Sequence, residues 1–242
     1  MSIGQKLEQV ADLVYEKGKD AEWNEFWDSL QQNGERRDYL RAFTYKSWTN
    51  KTFRPKYDII CDSCNEMFSV CSITDLAKIL EEQGVSIMFE GTGQKFNVFT
   101  NSSITRIPVL IMPTNSSAYG WFNGCRKLHT VDGFVCNERT GYQSSSGDSK
   151  TFANCIELVD IIFGGTVANN CDIHWSTKLS RESILSLLQC LNVAVTGVTI
   201  TLPSKCIDSE TDTLGLLTDQ EDKELNTAYT QASANGYSIS FL

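Results

Sequence analysis

The chain has 242 residues, 41% of them hydrophobic and only 4 of them proline, enough to bury a substantial core in one or two domains. Its formal net charge of −9, from 21 basic against 30 acidic residues, argues against nucleic acid or an anionic membrane face as the main partner, since both reward basic patches. No apolar run approaches the ~20 residues that cross a bilayer, and residues 1–9 lack the apolar centre of a signal peptide, so we expect a protein made in the cytoplasm, with no membrane insertion.

Residues 1–33 form the first unit, read as a helix from Ile3 to Leu30. Ile3, Leu7, Val10 and Val14 alternate by four and three, which is the seam of a coiled coil. Ser2 suits the start of this helix and Asn33-Gly34 its end. Lys17 and Asn24 interrupt the stripe, and Trp23, Phe26, Trp27 and Leu30 restart it on a shifted face. The first half is therefore expected to join copies of the chain and the second half to dock elsewhere. Residues 34–57 are aromatic-rich and irregular, with Tyr39, Phe43, Tyr45, Trp48, Phe53 and Tyr57, and are expected to cover the open end of a stack built by residues 58–206.

Residues 58–206 repeat themselves. Phe122-Asn-Gly-Cys125-Arg-Lys-Leu128 returns as Phe152-Ala-Asn-Cys155-Ile-Glu-Leu158, each followed by a β-branched residue. A sibling phrase runs Phe68-Ser-Val-Cys71-Ser-Ile73-Thr-Asp-Leu76 and Phe99-Thr-Asn-Ser102-Ser-Ile104-Thr-Arg-Ile107. The four Phe residues stand at steps of 31, 23 and 30. Self-similarity at this period signals stacked units, because one short strand and turn cannot bury an apolar side alone. The pattern predicts that Phe68, Phe99, Phe122 and Phe152 form one buried column. Cys71, Cys125 and Cys155 then read as small packed residues, and the remaining thiols as reduced and mostly buried.

Helix–glycine–strand units are interleaved with these phrases. Thr74 or Asp75 caps a helix from Leu76 to Gln83, and Gly84 ends it before a strand at Val85–Phe89. Ser180 caps Arg181 to Leu191, with Gly197 before the strand Val198–Leu202. Between the last two phrases, residues 137–150 are polar and small, with Tyr142 as the one aromatic. Such a loop on a rigid scaffold commonly carries binding. Tyr119, Trp121, Arg139 and Tyr142 are the candidate contact residues, in this loop or on the strand face beside it. Residues 207–242 form the last unit: Thr218 and Glu221 suggest a capping box opening a helix to Ala234, Asn235-Gly236 a stop, and Tyr237–Phe241 the last strand. Strands joined through helices run parallel with right-handed crossovers, so Pro108–Met112 and Val159–Phe163 are expected to continue one sheet.

Chemistry-bearing patterns are weak. Gly91-Thr92-Gly93 follows a strand as a nucleotide loop does, but Phe96 stands where the third glycine belongs, so it reads as a turn. Asp208, Glu210 and Asp212 begin like a calcium loop, yet Thr213 holds the glycine position. Cys61-x-x-Cys64 with Cys71 offers three thiols but no second pair at finger spacing, so no metal is assigned. Neither His129 nor His174 stands in a nucleophile–base phrase, and Asp132 and Asp160 read as repeat-equivalent ladder residues rather than a glycosidase pair. The expectation is a non-enzymatic chain without cofactor.

The Phe-x-x-Cys-x-x-Leu phrase before a short strand resembles the BspA-like type of leucine-rich repeat, over about Asp58 to Cys206. The order of parts resembles tail-associated and minor structural proteins in phages of gut bacteria, on Phe26-Trp27-Asp28, Gln31-Gln32-Asn33-Gly34 and Trp48-Thr-Asn-Lys-Thr-Phe-Arg-Pro-Lys-Tyr57. The uneven repeat length and Ser102 in place of Cys depart from the pattern. This resemblance implies an α/β leucine-rich-repeat-like solenoid with short parallel strands, after a coiled-coil helix and before a helix–strand cap. It implies a virion component, a homo-oligomer with a trimer favoured, attached to other virion proteins through the N-terminal helix and presenting a surface to a host protein or glycan. The alternative is a bacterial leucine-rich-repeat protein that mediates protein–protein contact or adhesion.

Overall fold

The computed structural model describes residues 39, 41–44, 48–51, 53–93, 95–114, 116–140, 151–204 and 222–242. The predicted helix with Ile3, Leu7, Val10 and Val14, the loop tip with Tyr142, and the Asp208–Asp212 run lie outside them. The chain is mixed α/β with short parallel strands. Strand β1 (Ile59–Cys61) pairs with β2 (Ile87–Phe89), and helix α1 (Leu76–Gln83) connects them. Strands β3 (Arg106–Ile111), β4 (Thr130–Cys136) and β5 (Asp160–Gly165) form a second sheet in that order. Strands β6 (Cys171–Asp172), β7 (Val198–Leu202) and β8 (Tyr237–Phe241) form a third. Helix α2 (Arg181–Gln189) joins β6 to β7, and α3 (Lys223–Ala234) precedes β8.

The repeated phrase explains the middle of the molecule. In each copy the chain turns back on itself, as when the Cys125 amide donates to the Phe122 carbonyl at 3.0 Å and the Ser102 amide to the Phe99 carbonyl at 3.0 Å. Successive copies are tied at the Phe itself. The amides of Phe43, Phe68, Phe99 and Phe122 donate to the carbonyls of Met67, Val98, Trp121 and Thr151 at 2.8, 2.7, 2.8 and 2.9 Å. Backbones held at strand-like spacing bring the rings into contact. Phe68, Phe99, Phe122 and Phe152 stack with centroids 5.4, 5.7 and 5.3 Å apart, and all are fully buried. Phe43 extends the column at 5.2 Å, so the aromatic-rich segment shares the core of the repeats.

The turns at Phe68, Phe99 and Phe122 each hold a left-handed residue two places before and two after the Phe. Glu66 and Val70, Asn97 and Asn101, and Gly120 and Gly124 fill these places with positive φ. Asn and Gly tolerate that region, whereas a β-branched residue such as Val70 does not. The glycines are required a second time by their neighbours. A Cβ on Gly120 would lie 2.0 Å from Asn97 Oδ1, and one on Gly124 would lie 2.0 Å from Asn101 Oδ1.

A fifth copy is hidden in the sequence because Ile173 and Ser176 replace Phe and Cys. Its turn has the same bonds, from the Ser176 amide to Ile173 O at 2.9 Å and from the Leu179 amide to Ser176 O at 3.3 Å. The Ser176 hydroxyl also bonds back to the preceding copy, at the Cys155 carbonyl at 3.1 Å, whereas the thiols of Cys155 and Cys125 donate to the Phe carbonyls of theirs, Phe122 O and Phe99 O, at 3.0 and 2.9 Å. Ser at Ser102 was the available clue that the small polar position accepts either residue.

Two expectations are corrected. The strands do not continue one sheet. Beyond β5 the place of the next strand is taken by α2, whose Ser183 and Ser186 hydroxyls accept from the amides of Ile161 and Phe163 at 2.9 and 3.0 Å. The cap of α3 is Asp222, which accepts from the Leu225 amide at 3.1 Å, whereas Thr218 and Glu221 lie outside the described residues. The other caps are as expected. Asp75 accepts from the Lys78 amide, Ser180 from the Ser183 amide, and Gly84 closes α1 with a φ of 65°.

Candidate binding face

Alternation along β3–β5 sends one set of side chains inward and leaves the other outward. Ile107, Leu110, Val131, Phe134, Ile161 and Phe163 are buried against the phenyl column. On the opposite side Val109, Ile111 and Ile162 are 54%, 60% and 49% exposed, with Val135 half-buried beside them. Gly133 and Gly164 keep this face low, and the Val109 and Val135 methyls lie 3.3 and 3.7 Å from where their Cβ atoms would be.

A bulge shapes one end of the face. Val131 pairs with Ile161 and Phe134 with Phe163, so β4 carries one more residue than β5 over that stretch. Bulges re-aim side chains, and here Asp132 meets Arg106. The guanidinium grips the carboxylate as a fork, Nε to Oδ1 at 2.9 Å and Nη2 to Oδ2 at 3.0 Å. The register ahead of the bulge corrects the expected equivalence of Asp132 and Asp160. Asp160 is in register with Thr130, and Asp132 lies two places further along.

Arg106 sits where two clefts meet. One, of about 440 Å³, runs between α1 and β3 and is lined by Leu80, Val85, Ile87, Pro108 and Val109, with Arg106 and Asp132 at its polar side. The other, of about 550 Å³, is lined by Thr105, Arg106, Lys127, His129, Thr130 and Glu157. The strip is thus bordered by a forked ion pair and two clefts.

The residues proposed from sequence fare unequally. Trp121 is fully buried, against the expectation of a contact residue. It packs on Phe89 and Phe134 with centroids 4.8 and 5.9 Å away, and its indole N–H donates to the Lys95 carbonyl. The position before the Phe is inward in the other three copies of the phrase as well, since Met67, Val98 and Thr151 are buried too. Tyr119 is half-buried with its ring edge-on to Phe96 at 6.3 Å. Arg139 is exposed, and its amide donates to Asn137 Oδ1 at 2.8 Å. The root of that loop is anchored, because Asn137 Nδ2 donates to Ser116 O at 2.9 Å and Pro113 O at 2.5 Å.

The buried polar groups are structural. Burial pushes the Cys125 thiol up to about 11 and those of Cys71, Cys171 and Cys190 to about 12. A thiol held protonated donates to carbonyls well and attacks electrophiles poorly. Lys95 is almost wholly buried, which its sequence context did not signal. Its ammonium donates to the carbonyls of Asp62 and Gly93 at 2.6 and 2.9 Å, so the glycine turn at Gly91–Gly93 presents carbonyls to a cation rather than amides to a phosphate. Among the described residues no group of three or more His, Cys, Asp and Glu is placed to hold a metal ion. No helix among them is long and apolar enough to cross a membrane.

Comparison with protein-family profiles, with curated proteins and with solved structures gives no match.

Proposed function

We propose that this is a non-enzymatic binding protein of leucine-rich-repeat-like build, in which the stacked copies form a solenoid and the outward face of β3–β5 is the working surface. The observation that carries this reading is the exposed strip of Val109, Ile111 and Ile162, lying beside the Arg106–Asp132 fork rather than scattered. Scattered exposed aliphatics are ordinary, whereas contiguous ones rimmed by polar groups mark docking surfaces. The resemblance to phage tail-associated proteins makes the partner another virion protein or a host-surface protein or glycan. On the same reading residues 1–33 join copies through Ile3, Leu7, Val10 and Val14.

The test compares attachment of the purified chain to gut-bacterial cells and to their isolated surface glycans with that of the Val109→Asp, Ile111→Asp double variant. Both substitutions are on exposed positions, so the melting temperature should hold while attachment falls at least ~tenfold. Equal attachment by the double variant overturns the choice of face. Release of reducing ends from the glycans overturns the non-enzymatic reading.

A further inference from the structure

Strand β8 is the last strand of its sheet, and among the described residues it pairs only with β7. The Leu242 amide donates to Leu202 O at 3.0 Å and its carbonyl accepts from the Ser204 amide at 2.7 Å, so both its backbone groups face β7. The direction of these groups alternates along a strand. Ser238 and Ser240 therefore also face β7, and Tyr237, Ile239 and Phe241 turn their N–H and C=O groups to the outer edge. Open edges are ordinarily blunted with charge, proline or a bulge. Tyr237-Ser238-Ile239-Ser240-Phe241 carries no charge and no proline, and its pairing with β7 is without a register break.

The strand is also a palindrome in chemistry: aromatic, Ser, Ile, Ser, aromatic. We propose that β8 joins two copies of this chain edge to edge, antiparallel, about a two-fold axis at Ile239. An isologous contact must be self-complementary, and this register is so in both respects. Ile239 meets Ile239 of the partner subunit, and Tyr237 meets Phe241 of the partner subunit. These are the residues whose backbone groups face the edge, so each pair exchanges two hydrogen bonds. Their side chains lie on the core side, where Tyr237 is buried and Ile239 and Phe241 pack against the cluster. On the other side Ser238 meets Ser240 of the partner subunit. The junction makes one sheet of two three-stranded halves. It uses none of the residues of the proposed face on β3–β5.

Register-specific cross-linking of the full chain tests it. Ser238 and the partner's Ser240 form a non-hydrogen-bonded pair, about 4.5 Å between Cα atoms, within the span of a disulfide. Two copies of Ser238 are offset diagonally at about 7–8 Å or more, outside that span. Under mild oxidant, a mixture of Ser238→Cys chains with Ser240→Cys chains should yield at least ~tenfold more linked dimer than either alone, with the wild-type chain as background. An Ile239→Pro substitution on both chains removes the central donor at an edge position that tolerates proline and should abolish the link. Equal linking in the unmixed samples, or none in the mixture while both variants fold as judged by circular dichroism, overturns the proposal. Neither result bears on attachment through Val109 and Ile111, which is measured separately.

Discussion

The outer edges of β5 and β8 are both the last edge of a parallel sheet, and the chain treats them differently. At β5 a helix docks broadside and supplies hydroxyls where a further strand would supply carbonyls. Ser183 and Ser186 accept from Ile161 and Phe163 and in turn donate to Val159 O and Ile161 O at 3.1 and 3.4 Å. At β8 no described element does this. The sheet that rests on the phenyl column is thus sealed by its own sequence, and the C-terminal sheet is left able to extend. The difference comes down to side-chain reach. A serine on a helix can satisfy a strand edge from the side, whereas serines on the edge strand itself, such as Ser238 and Ser240, point away from it.

Breaking the sealed half should cost most. Phe122→Ala removes a ring stacked between Phe99 and Phe152 and is expected to destabilise by about 3–5 kcal/mol, read as a fall in the denaturant midpoint of the whole chain. Next is the seal itself. Ser183→Ala with Ser186→Ala strands two buried amides at about 1–3 kcal/mol each. Ser238→Ala with Ser240→Ala, on the open strand, should stay within about 0.5 kcal/mol. Equal losses from the two pairs in urea titrations would remove the contrast between the edges.

A smaller effect of opposite sign is expected at Val70. Its φ of 59° and its exposure make it a strained position in the column, and Val70→Gly should stabilise by about 1 kcal/mol, seen as a raised melting temperature. The smallest effect is local and depends on pH. Asp222 caps α3 and is gripped by Arg181 of α2, with Nη2 to Oδ1 at 2.5 Å. That guanidinium, then the Leu225 amide, holds the carboxyl below its usual range. Its stabilisation is complete above the unfolded value of about 3.9 and is lost as pH falls through the lower folded one. Hydrogen exchange over 223–241 should quicken in that window before the phenyl column opens, and Asp222→Asn should remove the dependence.

The local devices were legible in the sequence. The Phe spacing predicted the column, Asp75, Ser180 and Gly84 marked their helix ends, and short apolar or β-branched runs located β3, β5, β7 and β8. All are governed by nearest neighbours or by strict repetition, so a linear reading reaches them. Trp121 was misplaced because an aromatic beside a polar loop looks the same whether it faces out or in. Packing on Phe89 and Phe134 and the bond from the indole N–H to the Lys95 carbonyl fix it inward.

What tertiary structure alone decided is where each sheet stops and which surface is left over. Ser183 and Ser186 carry no signal of their own in the sequence, and their role appears only when β5 is brought against them. Val109, Ile111 and Ile162 read as core-forming aliphatics in apolar strands until the column has filled the other side. Lys95 gave no sign of burial until the carbonyls of Asp62 and Gly93 converged on it. Sequence sets what a residue can bond and how often a pattern recurs. Burial and edge closure are set by partners far along the chain, as the spans of 22 from Ile161 to Ser183 and 33 from Lys95 to Asp62 record, and those distances become contacts only when the chain is folded.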